Sequence, residues 1–434
     1  MKLRQIVPRV CAPLLAAALV LAMAQGSAVS SVPTLKKVRP LTAVEPIRTG
    51  RFDSSDSFAG YTPAQIRKAY GLDKLTGTGS GQTIAIVESY GDPTLQSDLS
   101  EFDTKYGLPA ADLTVLSVGS PSGGADSSDL EGWAEETAMD VEWAHAMAPG
   151  AKLLVYTTLS EDSDQLLAAM DEASASGAGV VSMSWGASES GDSSYYDSHF
   201  ASGIAYVASA GDDGAENIWP AASPKVIAVG GTTLNLTSSG ARRSEYGWYL
   251  SGGGISRVEA EPSWQSAMGL LAFYRIRMFR RNPSVSGRRL IPDVSFDADP
   301  DTGVSVYCSY AQSDSNTEQP GWFVIGGTSL GAPCWGGVIA VLDSSGERVA
   351  GASSLYTAAG GSAYTNSKHA FYDVVGGFNG YAATPGYDLV TGLGSPQANQ
   401  LAAALQSVSL SAAKTAKGST APGSTAAKAA ARRR

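Results

Sequence analysis

The sequence predicts an α/β fold with helices on both faces of a mostly parallel sheet. The first observation is alternation. Short β-branched runs at Thr83–Glu88, Leu113–Val118, Lys152–Tyr156, Val180–Ser184, Ile204–Ala208 and Val226–Val229 are interleaved with helical patterns at about Asp129–Met147 and Asp162–Ser174. The second is composition: 434 residues with 43% hydrophobic and 17% charged side chains can build a sizeable core, unlike a disordered chain. Ligand sites in such folds gather at the carboxyl ends of the strands. That rule directs attention to Glu88, Trp185, Asp212 and the Gly326–Ser329 loop, each at or just past a strand end.

The ends of the chain read differently from its middle. Lys2, Arg4 and Arg9 precede an apolar run, Ala12–Met23, followed by small residues. This is the pattern of a secretory signal peptide, cut after Ala24 or Ala28, and the run is too short for a membrane span. Residues 1–28 are therefore expected to be removed and the protein released; 29–58 read as a short pro-segment or linker, and 59–406 as the folded domain. The small, basic residues of 407–434 have little to bury and are expected to be a disordered tail. Cys308 and Cys334 remain after signal removal, as one disulfide or as two buried thiols. The stretch Gly269–Phe279 (GLLAFYRIRMF), with arginines after it, has no clean period and reads as an amphipathic surface insertion. The net charge of −10 argues against nucleic acid as a partner, because phosphate binding needs a basic face.

The strongest chemical signal is Gly326-Gly327-Thr328-Ser329-Leu330-Gly331-Ala332-Pro333, entered by a β run (Phe323–Ile325) and left by an apolar helical run. A serine at such a junction meets unsatisfied backbone N–H groups and the positive end of the helix dipole. Alone, its ordinary reading is a helix cap. A nucleophilic serine needs a base. The three histidines, His145, His199 and His369, stand in settings that do not support that role. The carboxylates are better placed. Glu136 and Asp140 are four residues apart on one helical pattern, so they share a face, and two carboxyls in contact titrate as a pair. Glu136 could then serve Ser329 as base with Asp140 orienting it, although acidic helix faces are commonly just solvated. Asp212 follows a buried-looking strand in a Gly-Asp-Asp-Gly turn. Kept neutral, it could donate a hydrogen bond to a developing oxyanion.

Taken together, these stretches resemble the sedolisins, serine-carboxyl peptidases with a subtilisin-like fold. The matching segments are GTSLGAP, EETAMDVEWAHAMAPGAKLLVY, VVSMSWG, YVASAGDDG, WPAASPKVIAVGGTTL, SGGGIS, PDVSFDADPDTG and YDLVTGLGSP, in family order over roughly residues 59–406. The resemblance implies a subtilisin-like three-layer sandwich with a mostly parallel central sheet. It implies Ser329 as nucleophile, Glu136 as base, Asp140 as its partner and Asp212 as oxyanion acid. Glu88 and Trp185 match positions that extend the hydrogen-bond network in some members, or they pack the core. The resemblance further implies one structural calcium ion held by the side chains of Asp373 and Asp388 and the carbonyls of Val374, Thr384 and Gly386. The family pattern usually includes a long folded pro-domain, which residues 29–58 do not match.

The implied activity is endopeptidase cleavage of proteins at acidic pH through an acyl-enzyme. The expected partners are protein or peptide substrates, without nucleic acid and without membrane once the signal is removed, and the protein is expected to be a monomer. A catalytically silent, calcium-stabilised binding protein on the same fold is the alternative, and a Ser-His-Asp hydrolase a more distant one.

Overall fold

The computed structural model describes residues 39–40, 43–45, 60–121, 124–191, 193–269, 287–310, 321–360 and 370–418. The signal region, most of 29–58, the Arg-rich stretch from 270 onward and the last residues of the tail lie outside the described residues.

In chain order the strands are β1 (Arg39–Pro40), β2 (Ala43–Glu45), β3 (Thr83–Ser89), β4 (Asp112–Val118), β5 (Lys152–Thr158), β6 (Val180–Met183), β7 (Trp185–Ser188), β8 (Ala205–Ser209), β9 (Ile218–Trp219), β10 (Val226–Leu236), β11 (Arg242–Gly247), β12 (Gly254–Ala260), β13 (Arg288–Ile291), β14 (Val294–Asp297), β15 (Val304–Tyr307), β16 (Trp322–Gly326), β17 (Phe371–Tyr372) and β18 (Ser395–Pro396). The helices are α1 (Pro63–Ala69), α2 (Leu95–Tyr106), α3 (Ser127–Met147), α4 (Ser163–Ala175), α5 (Ser263–Ala267), α6 (Thr328–Ser344), α7 (Ala352–Ala358) and α8 (Ala398–Gly418).

The central sheet runs β11-β10-β8-β6-β3-β5-β4, with β14 also paired to β10. Every pairing in it is parallel except β10 with β11. Crossover helices follow, since parallel neighbours cannot be joined by a tight turn: α2 links β3 to β4, α3 links β4 to β5, and α4 links β5 to β6.

Side-chain alternation along the strands builds two cores. From β3, Ile84 and Ile86 enter one cluster, with Leu153, Val155, Val207 and the apolar faces of α3 and α6. Ala85 and Val87 enter the other, with Leu154, Tyr156, Val181 and Leu166, Leu167 and Met170 of α4. A strand buried on both sides reads as a continuous apolar run, which is how TIAIVES looks in sequence. The three-layer sandwich is thus the arrangement the alternation predicts.

Helix α3 starts at the surface and then runs inside: from Trp133 to Met147 nearly every residue is buried, so Glu136, Asp140 and Glu142 are not on a solvated face. It runs close against α6. A Cβ at Gly337 would fall 2.4 Å from the Cβ of Met147 and 3.2 Å from the Ala144 carbonyl, so the contact needs glycine there. Two three-stranded antiparallel sheets accompany the central one. β7 pairs antiparallel with β1 and β9, and β16 pairs antiparallel with β15 and β2.

One expectation is adjusted, and one open alternative is decided. α8 continues to Gly418, so the first part of the tail is helical rather than irregular; its alanines favour helix even where little is buried. Cys308 and Cys334 are two buried thiols rather than a disulfide.

Candidate active site

Ser329 is the second residue of α6 and is completely buried. Gly327, just before the helix, has φ 97°, a left-handed conformation that favours glycine and lets β16 turn abruptly into the helix. At the second helical position the Ser329 N–H has no intrahelical acceptor. Pro333, four residues on, removes the N–H that would bond the Ser329 carbonyl. That carbonyl instead accepts from Ser184 Oγ at 3.2 Å, while Ser329 Oγ donates to the Ser184 carbonyl at 3.2 Å. The serine is therefore clipped to the β6–β7 junction in both directions.

Ser184 reaches a second partner. Its hydroxyl lies 2.9 Å and 2.7 Å from the two oxygens of Asp140. Asp140 and Glu136 project from buried α3, one turn apart, and both are completely buried. Glu88 closes the group from the end of β3. Burial first, then the charges of Asp140 and Glu136, hold its carboxyl well above the usual range, and it hydrogen-bonds with Asp140. Burial pushes Asp140 up to about 8, against hydrogen bonds with Ser184 and Glu88 that pull it down. No cation is among the causes of either shift. Acids packed together without a cation hold protons in common.

Asp212 lies on the other side, after β8. Its Oδ1 accepts from the Thr328 N–H at 2.8 Å and the Thr328 hydroxyl at 2.7 Å, and that hydroxyl accepts from the Gly211 N–H at 3.0 Å. Oδ2 is buried and takes part in no hydrogen bond. Burial pushes the carboxyl up to about 7 despite the donors from Thr328. With Oδ1 already accepting twice, the proton belongs on Oδ2, where it is available to donate. The structure thus gathers Ser329, Asp140 and Asp212 around the start of α6, with Glu136 one turn from Asp140 on the adjoining helix. Ser184 and Thr328 join them; in sequence they are unmarked members of SMSWG and GTS.

Trp185 is anchored otherwise. Its indole N–H donates to the Val87 carbonyl at 2.7 Å and its ring packs near Trp219, so it ties β7 to β3 beside Glu88. The described histidines are elsewhere. His145 contacts the Pro109 carbonyl at 2.8 Å and Asp103 at 3.3 Å, and His199 pairs with Asp171 at 2.9 Å. His369 lies outside the described residues.

For calcium, the sequence-derived residues converge on one loop. Both oxygens of Asp373 accept from the Gly386 N–H at 3.1 Å, and Asp388 Oδ2 accepts from the Thr384 N–H at 3.0 Å. Burial raises both carboxyls, Asp388 to about 7. Two carboxylates beside backbone carbonyls are the hard oxygen donors that calcium prefers, and a cation would relieve the burial of both. Asp92, Asp98 and Cys308 also bring ligand atoms within 4.8 Å of one another. There Asp98 is occupied by the Ser309 N–H and hydroxyl, at 2.8 Å each, and by the Thr94 hydroxyl at 2.7 Å.

Known proteins match this chain in sequence and in fold. A model of the subtilase family matches residues 123–353. Sedolisin of Pseudomonas sp. (strain 101) is 30% identical over 430 residues, covering 88% of this chain and 68% of its own. Kumamolisin of Bacillus sp. (strain MN-32) is 30% identical over 419 residues, covering 87% of this chain and 70% of its own. A crystal structure of Pseudomonas sedolisin, described as a serine-carboxyl proteinase complexed with two molecules of pseudo-iodotyrostatin, matches with a TM-score of 0.66 at 29% identity. That match covers 81% of this chain and 99% of the other.

Proposed function

The chain belongs to the sedolisin family of serine-carboxyl peptidases, within the subtilases, and from that premise we propose that it cleaves proteins as a secreted, acid-acting endopeptidase. Its substrates are proteins or peptides. In the proposed reaction Ser329 Oγ exchanges the Ser184 carbonyl for Glu136 as its proton acceptor and attacks the substrate carbonyl carbon. Asp140 orients Glu136. The oxyanion receives hydrogen bonds from the Ser329 N–H and from protonated Oδ2 of Asp212. The proton passes from Glu136 to the departing amine, and water, activated by Glu136, then hydrolyses the acyl-enzyme.

The observation that carries this reading is Asp212. A carboxyl fixed by Thr328, the neighbour of the nucleophile, and raised to about 7 is a proton donor in acid and an anion above neutrality. Activity is therefore expected on denatured protein at pH 3–6, falling through about pH 7 as Asp212 ionises. Ser329→Ala should lower turnover by at least about 10⁴-fold while keeping the fold. Activity confined to neutral pH, or surviving in Ser329→Ala, would refute the assignment.

Calcium, when bound by Asp373, Asp388 and the carbonyls of Val374, Thr384 and Gly386, supplies a clamp for the C-terminal loop and no chemical step. Chelation is expected to lower the melting temperature, and calcium to restore it, read by calorimetry. Secretion rests on the N-terminal signal pattern and is tested by recovering the protein from culture medium. Among the described residues, no helix is long and apolar enough to cross a membrane.

A further inference from the structure

Cys308 is one of two buried thiols, and the proposed reaction uses neither. It lies just after β15. Asp92, from the turn after β3, and Asp98, from the first turn of α2, bring carboxylate oxygens to its sulfur, with all three ligand atoms within 4.8 Å of one another. Asp92 is 9% exposed, Asp98 1% and Cys308 0%, so this is not a solvated acidic face.

Asp92 Oδ1 accepts from the N–H and the hydroxyl of Thr94, at 2.8 Å each. Its Oδ2 is buried, receives no hydrogen bond and stands beside the Asp98 carboxyl. Asp98 is oriented by Ser309 and Thr94, as a ligating carboxylate is oriented by its surroundings. Its Oδ1 keeps a lone pair, because besides the Ser309 hydroxyl at 2.8 Å it has only a long contact, 3.4 Å, from Ser97. A further buried acid faces the same place from α3. Glu142 Oε2 accepts from the N–H of Tyr307, next to Cys308, at 3.1 Å, while its Oε1 is buried without a hydrogen bond. Burial first holds the Glu142 carboxyl well above the usual range, against the Tyr307 N–H, and the charges of Asp98, Asp92 and Asp103 raise it further. No cation is among those causes. Buried charges are paired or coordinate metals.

We propose that Asp92, Asp98 and Cys308 bind one zinc ion, with Glu142 adding negative charge beside them. The donor set selects the metal. Calcium and magnesium take oxygen rather than sulfur, copper(I) seeks soft donors alone, and zinc accepts thiolate and carboxylate together. Around a tetrahedral zinc such atoms stand about 3.4–3.6 Å apart, so a separation of 4.8 Å needs a closure of only about 1 Å. The Cys308 thiol releases its proton to solvent as its sulfur binds. The ion ties the turn after β3, four residues past Glu88, to β15, the antiparallel neighbour of the strand that leads to Ser329.

The test uses the full chain at pH 7, stripped with chelator and then given one metal at a time in calcium-free buffer. Zinc is expected at one equivalent after gel filtration. Cobalt(II) in its place is expected to give the near-ultraviolet charge-transfer band of a thiolate-bound ion, which the all-oxygen loop at Asp373 and Asp388 cannot give. Cys308→Ser should abolish the band, and Asp92→Asn should weaken zinc binding by at least about tenfold. No band in the wild type, a band that survives Cys308→Ser, or an unchanged zinc affinity in Asp92→Asn overturns the proposal. Asp92→Asn keeps an oxygen for Thr94, so it decides the question alone if Cys308→Ser does not fold. Binding is read without turnover, so the outcome is independent of the Ser329 assignment.

Discussion

Asp293 and Asp140 are both completely buried, and the molecule treats them in opposite ways. Asp293 sits against Arg289, with guanidinium nitrogens at 3.0 Å and 2.7 Å from its two oxygens, the Ala228 N–H at 2.8 Å and the Tyr356 hydroxyl at 3.0 Å. Arg289 spends its remaining donors on the carbonyls of Ala222 and Val226, both at 3.1 Å. Asp140 is just as buried, but its partners are a serine hydroxyl and a second acid. The first arrangement fixes a charge; the second makes charge expensive and protons easy to hold. The difference separates an aspartate that holds elements together from one that can take part in proton transfer.

The comparison can be broken most forcefully at the ion pair. Arg289→Met removes the cation and leaves Asp293 buried without compensation, and a loss of about 3–5 kcal/mol in denaturant unfolding is expected. A smaller loss would mean that the Ala228 N–H and the Tyr356 hydroxyl, rather than Arg289, hold Asp293 in place. On the acid side, Asp212→Ala is expected to cost about 10²–10³-fold in kcat while unfolding little changed, because it removes an oxyanion donor rather than a structural anchor. Asp212→Asn sharpens this. With its amide oxygen toward Thr328 it keeps a neutral donor at the Oδ2 position, so the fall near pH 7 should move to higher pH.

The mildest test is stability against pH. Asp140 and Asp212 have folded values raised to about 8 and about 7, above the unfolded value of about 4, so the folded state holds more protons between those limits. Their contribution is fully present below about pH 4 and is lost as pH rises toward 8, so the melting temperature should fall over that range. Asp140→Asn should flatten the slope. A melting temperature that rises from pH 4 to 7 would show that the buried acids are ionised and the contrast with Asp293 does not hold.

Much of this was legible in the sequence. Buried strands are short apolar runs, so β3, β5 and β8 lie within a residue or two of their expected spans. The acids of α3 could be placed on one face because helical spacing is local. Ser184 and Thr328 were not legible as participants, because their roles depend on contacts across 145 and 116 residues and serine and threonine occur everywhere. The pairing of Arg39–Glu45 was hidden for the same reason. Two short strands separated by two residues carry no periodicity, and what orders them is the pair of edges they meet. The helical start of the tail was missed because a lack of apolar residues was read as a lack of structure, although alanine alone favours the helix.

Pro333 has an evolutionary consequence. By withholding its N–H it frees the Ser329 carbonyl for Ser184, so one substitution at each of two distant positions governs a single hydrogen bond. A descendant that replaced Pro333 would give that carbonyl a donor from within its own helix, and Ser184 would then be retained only for Asp140. Positions 184 and 333 are therefore expected to drift together, and a lineage that has changed one without the other is where a differently anchored nucleophile should be sought.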